Sequence, residues 1–173
     1  MDVKEAIESV HQCSSFEKKK VPINVIHDLI KAAAYAPCPG DMECWEFVVV
    51  DDKKKLELIS NQCPKQSWIK NIPCLLVILR KDDRVKTLYG DRGEIYSGHS
   101  CAAAAQCITL RAADLGLATC WIRRFNAKGV ARILDVPSEI NVELMLALGY
   151  PKEKNTPGLS KISVDKITHL NNY

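Results

Sequence analysis

The sequence predicts an α/β or α+β domain, on three observations. Segments with apolar residues at helical spacing alternate with short, continuous apolar runs rich in β-branched residues. Proline or glycine stands where one kind of segment gives way to the other. The short runs are too apolar to face water, so they read as strands buried on both faces.

In chain order, Val3, Ile7 and Val10 recur at helical spacing and predict an amphipathic N-terminal helix. A second helix is predicted over 23–35, with Pro22 suited to its start and Ile26, Leu29, Ile30 and Ala33 on one face. Strands follow at 45–50 and 74–79, with a helix over 53–62 between them. A long helix over 94–115 carries Ala102 to Ala105, small side chains that let another helix approach closely, and Gly116 stops it. Strands at 118–123 and 142–148 flank a helix over 127–134 that Asn126 is placed to cap. After Pro151 the chain reads K-E-K-N-T-P-G-L-S-K, which adds little to a core, so this tail is expected to pack on a partner subunit.

With 173 residues and no internal division, one domain over 1–173 is expected. The formal net charge of +3 is spread along the chain. Two lysine runs, 18–20 and 53–55, are too short for a nucleic-acid footprint and read as solvated helix flanks. No apolar stretch approaches the roughly 20 residues that span a bilayer, and the opening M-D-V-K-E-A-I-E has no secretory character, so a cytoplasmic protein is expected. Eight cysteines include no C-x-x-C pair; Cys38 and Cys44, like Cys101 and Cys107, stand six apart, which suits neither zinc nor an iron-sulfur cluster. Cys63, Cys74, Cys101, Cys107 and Cys120 lie in apolar runs and read as small hydrophobes.

The most informative segment is A-P-C-P-G-D-M-E-C-W-E-F, where Pro37, Pro39 and Gly40 end one helix and a loop leads into the strand at Trp45. It resembles the A-P-S-x-x-N-x-Q-P-W-x-F signature of the FMN-dependent nitroreductase family. Four further features fall in the family's order: an N-terminal helix ending in a basic cluster, Q-S-W-I-K-N-I-P-C-L-L-V-I, A-A-Q-C-I-T-L-R-A-A-D-L-G-L-A-T-C-W-I and L-A-L-G-Y-P. The resemblance implies an α+β fold, a three-layer α/β/α sandwich with a central mixed sheet. It also implies a homodimer with the long helix at its interface, the tail crossing to the partner and two FMN sites between subunits.

Family members carry R-R-S-x-R before an aromatic residue, to hold the FMN phosphate and ribityl chain. Aligned on Phe16, this chain has Val10, His11, Gln12, Cys13 and Ser14, so both outer cations are lost. Gln12 and Ser14 keep hydrogen-bonding capacity, and His11 is either a phosphate donor or a surface group. Lys161 falls where the family has a basic phosphate ligand, and reads equally as a tail lysine. In the loop, Cys38 replaces serine, Asp41 asparagine and Glu43 glutamine; the acids either face solvent or meet a cation, and Cys38 is a serine substitute in preference to a redox thiol. The backbone of Pro37, Cys38, Pro39 and Gly40 remains able to contact a flavin ring. Arg123 and Arg124, adjacent on a predicted strand, should point to opposite sides, so that one at most faces the ring; either it stabilises a reduced flavin or an anionic substrate, or the pair serves Asp41 and Glu43.

The resemblance thus implies an oxidoreductase that takes a hydride from NAD(P)H and passes electrons to a quinone, nitroaromatic or similar small acceptor. No side chain forms a catalytic triad or paired-carboxylate constellation, in keeping with a flavin that does the chemistry. The losses at Val10 and Ser14 leave open a second reading, a protein that kept the fold and lost tight FMN binding. Neither a membrane nor a nucleic acid is an expected partner.

Overall fold

The computed structural model describes residues 1–10, 12–152 and 163–172. Helices α1 (Val3–Ser9) and α2 (Ile23–Ala33) precede strand β1 (Trp45–Val50), helix α3 (Lys53–Ser60) and strand β2 (Cys74–Arg80). Helices α4 (Asp83–Tyr89) and α5 (Arg92–Asp114), strand β3 (Ala118–Ile122), helix α6 (Ala127–Ile133) and strand β4 (Asn141–Gly149) complete the order. The sheet runs β1-β2-β4-β3. All three strand pairings are antiparallel, so the expected mixed sheet reduces to an antiparallel one with a single parallel bridge, Gln12 to Thr119.

Alternation along the central strands makes the three layers. Leu75, Val77 and Leu79 of β2 face Leu56 and Ile59 of α3 and Val130 of α6. Leu76 and Ile78 face Ile26, Leu29 and Ala33 of α2 and Cys101, Ala104, Ala105 and Ile108 of α5. Every residue of β2 up to Leu79 is buried, as its unbroken apolar run requires. Ala104 and Ala105 serve close packing inside the chain, against α2 and the sheet, while Ala102 and Ala103 stay half-exposed.

Local signals end the elements where expected. The Asn126 side chain accepts from the Gly129 amide at 3.1 Å, and Gly116 follows α5 with φ +72°. Two expectations fail. Val3 and Ile7 are 75% and 58% exposed, and Ala6 is the one buried residue of α1, so the apolar spacing there marks a face left open on this chain. Helix α4 was not foreseen, because D-R-V-K-T-L-Y is short and buries only Val85. Among the described residues no helix is long and apolar enough to cross a membrane.

Candidate functional site

The segment after α1 is laid against the β3 edge. The Cys13 amide donates to the Thr119 carbonyl at 3.1 Å, and the Trp121 amide donates to Gln12 Oε1 at 2.8 Å. Further along, Phe16 bridges Pro151 and the Glu17 amide donates to the Tyr150 carbonyl at 2.8 Å. Edge-strand groups of β3 that would otherwise face water are thereby paired, and Gln12 is fixed as a strap over the strand. Its side-chain oxygen is committed to this bond, which leaves the amide nitrogen as the donor it can offer a ligand.

Strand β3 stops at Ile122, one residue short of the expected end, so Arg123 and Arg124 lie beyond the pleat and its rule of alternating faces does not govern them. Both are exposed, and neither pairs with a carboxylate among the described residues. The guanidinium of Arg123 stands 5.5 Å from the centre of the Trp121 ring. Gln66, which sequence reasoning passed over, donates from Nε2 to the Arg124 carbonyl at 2.7 Å and pins the turn.

The Pro37–Gly40 loop sits elsewhere. Pro39–Asp41 makes one tight turn in which Gly40 and Asp41 both take positive φ, 59° and 53°. Asp41 and Glu43 face solvent, the first of the two outcomes their acidity allowed. Cys38 is half-buried, and its thiol is pushed up to about 11 by burial first and then by Cys44, Glu43 and Asp41. A thiol so held is protonated near neutrality, and it donates to the Ala36 carbonyl at 3.8 Å.

Within one chain the loop and the arginine pair do not meet. They lie at the same end of the sheet but on opposite edges, beside β1 and β3, with β2 and β4 between. At ordinary strand spacing that is about 14 Å. His11 and Lys161, expected from the sequence as phosphate ligands, lie outside the described residues.

At the other end of the sheet lies a cavity of about 680 Å³ into which Ser14 opens. Lys18, Lys20, Lys53, Lys70 and Lys152 line it, so the lysine runs read as solvated flanks are in part cavity walls. Nothing local in the sequence foretells this, because the five come from four separate stretches of chain.

The donor set on the β3 edge suits an anionic, hydrogen-bonding planar group such as FMN: an amide at Gln12, a hydroxyl at Ser14 and two guanidinium groups without acidic partners among the described residues. A three-layer α+β fold built on an antiparallel sheet in the order β1-β2-β4-β3 defines the class of protein. A model of the nitroreductase family matches residues 7–63 and 56–150, and the chain belongs to that family, and with it to the oxidoreductases. A relative in Methanothermobacter thermautotrophicus, provisionally named NADH dehydrogenase/NAD(P)H nitroreductase, is 27% identical over 177 residues, covering 100% of this chain and 88% of its own. The FMN-dependent nitroreductase of Clostridium difficile R20291 is 26% identical over 99% of this chain and 100% of its own, with a TM-score of 0.84. A nitroreductase family protein of Clostridium novyi NT is also 26% identical, over 88% of this chain and 87% of its own, with a TM-score of 0.81.

Proposed function

We propose that this chain is a cytoplasmic FMN-dependent oxidoreductase that passes electrons from NAD(P)H to a quinone, nitroaromatic or similar small acceptor. The observation that carries the reading is the Arg123–Arg124 turn, free of acidic partners among the described residues and pinned by Gln66 beside the Gln12 strap. Bound FMN would supply hydride acceptance and electron transfer. Gln12 and Ser14 would offer neutral hydrogen bonds to its ribityl and phosphate oxygens, with His11 and Lys161 as further phosphate ligands. The backbone of Pro37, Cys38, Pro39, Gly40 and Asp41 would contact the ring. Arg123 and Arg124 would place positive charge where the reduced ring or an anionic acceptor carries negative charge.

Completion of each site calls for a homodimer, each chain, a single domain over 1–173, setting its loop against its partner's β3 edge. In support, Tyr35 next to the loop is 89% exposed, and Val164, Ile167 and Leu170 of the C-terminal segment are 68%, 63% and 85% exposed. Such a row of apolar side chains left in water marks a contact surface.

Reconstitution with FMN, read by flavin absorbance and by titration, tests the reading. Weak but saturable binding is expected, because both outer cationic positions of the motif, 10 and 14, hold Val and Ser. Val10→Arg should then tighten FMN by roughly tenfold to a hundredfold, the worth of a charged hydrogen bond to phosphate, and Lys161→Ala should weaken it by a similar factor. A protein that stays colourless at saturating FMN would instead be the fold without its flavin, a reading favoured by the loss of both outer cations, at Val10 and Ser14.

A further inference from the structure

Helix α4 follows directly on Arg80, which pairs with Trp45 at the end of the sheet where the Pro37–Gly40 loop enters β1. It buries only Val85, so apolar packing alone does not hold it there. Charge adds to the hold. The Asp82 side chain, 3% exposed, stands between Lys86 at 3.1 Å and Arg80 at 3.5 Å, and Glu94 in the first turn of α5 takes Arg80 at 2.8 Å and Lys86 at 3.4 Å. Arg80 and Asp82 are shielded from water, where opposite charges attract more strongly than at an open surface. Gly93 lets the two helices close up, since a Cβ there would stand 2.7 Å from the Lys86 backbone.

So held, the last two residues of α4 reach the loop. A Cβ built on Gly40 would stand 3.3 Å from Leu88 Cδ2, 3.5 Å from the Tyr89 hydroxyl oxygen and 3.2 Å from Met42 Cε. Three side chains thus gather where the loop has none. The Tyr89 ring is fixed edge-on against Tyr96, with centroids 5.3 Å apart and planes at 89°. Its hydroxyl, in contrast, makes no hydrogen bond among the described residues. Leu88 and Tyr89 are 62% and 38% exposed, so the turn is open to solvent. A positioned ring with an unused donor, beside a leucine and a polarisable methionine, suits a flat apolar ligand with an oxygen at its edge.

We propose that Tyr89 is an acceptor-binding residue, its hydroxyl donating to a carbonyl or nitro oxygen of the quinone or nitroaromatic whose ring lies against Leu88 and Met42. The assignment rests on the flavin reading, in which the loop backbone at Gly40 meets the flavin ring. An acceptor oxygen gains negative charge as electrons arrive, and a hydrogen bond to it strengthens in step. Tyr89 therefore sets which acceptors are taken and leaves the hold on the flavin to other residues.

Two measurements on the FMN-loaded, full-length protein test the proposal. One is calorimetric titration of the oxidised protein with menadione and with nitrobenzene, with no reductant present. The other is reduction of the same two compounds and of ferricyanide, driven by NADH or NADPH; ferricyanide takes single electrons and has no carbonyl or nitro oxygen. Tyr89→Phe should weaken menadione, nitrobenzene or both roughly three- to tenfold in the titration, the worth of a neutral hydrogen bond, and raise KM by a similar factor. FMN affinity and ferricyanide reduction should not change. Tyr150→Phe, at the opposite end of the sheet, should alter none of these. A loss with one compound alone supports the contact and says which oxygen it takes. Tyr89→Phe that binds both compounds like the parent overturns the assignment, and so does an equal loss with ferricyanide, which would mean a general disturbance of the site. Parent protein that reduces ferricyanide yet binds neither compound overturns it as well. Failure of the flavin reading shows differently: a parent that takes up no FMN, or whose FMN neither NADH nor NADPH bleaches, overturns both readings, whereas a working flavin with an indifferent Tyr89→Phe overturns this one alone.

Discussion

Gly149 closes β4 where the site segment crosses it, and its missing side chain is what lets three pieces of chain converge. A Cβ there would stand 2.5 Å from Pro73 Cγ and 3.0 Å from Phe16 Cδ1. The proline ring is tied to the backbone at the start of β2 and cannot swing aside, and Phe16 is only 5% exposed in the core. Gly149→Ala must therefore push the 14–17 segment off the sheet edge. Overpacking of this kind costs typically 1–3 kcal/mol, and for a chain of this size each kcal/mol lowers the melting temperature by about 2–4 °C. A fall of roughly 2–12 °C is expected in thermal unfolding followed by circular dichroism, at fixed protein and flavin concentration. Gly98→Ala supplies the contrast: in α5 the added carbon meets the carboxylate end of Glu143 at 3.3 Å and Arg80 Nη1 at 4.0 Å, side-chain tips and no backbone. Helix propensity should make that change stabilising by roughly 0.5–1 kcal/mol. A Gly149→Ala protein that melts within about 1 °C of the parent would refute the packing of Phe16 and Pro73 over β4 and, with it, the placement of Ser14.

Two further outcomes follow. With its thiol pushed up to about 11, Cys38 should alkylate slowly at neutral pH and speed up tenfold per pH unit into the alkaline range; relative to an ordinary exposed thiol the rate near pH 7 should be about a hundredfold lower, measured by mass spectrometry after iodoacetamide, and fast labelling at pH 7 would contradict its burial. Asn126→Ala removes the acceptor of the Gly129 amide at the start of α6 and should cost about 1 kcal/mol in urea unfolding, whereas Asn126→Asp should keep most of that stability.

Where a residue's neighbours in sequence are also its neighbours in space, reading the chain sufficed. The apolar run 74–79 reads as a strand covered on both faces because it is short, unbroken and holds β-branched Val77 and Ile78, and Asn126 and Gly116 mark helix ends through groups within a few residues of themselves. The nitroreductase family was legible too, since its motifs are short and local. What the sequence could not determine depends on chain segments that meet only after folding. Alternation along a strand says nothing about which strand lies beside it, so the antiparallel order β1-β2-β4-β3 had to come from tertiary structure. The same holds for Gln12, whose oxygen accepts from the backbone amide of Trp121, 109 residues away, and is fixed over β3 by it. It holds most of all for Lys18, Lys53, Lys70 and Lys152: each alone is a solvated lysine, and only the convergence of β1, β2 and β4 at one end of the sheet sets them around a single cavity. Charge acts through space, and the distances that give it meaning are decided by packing.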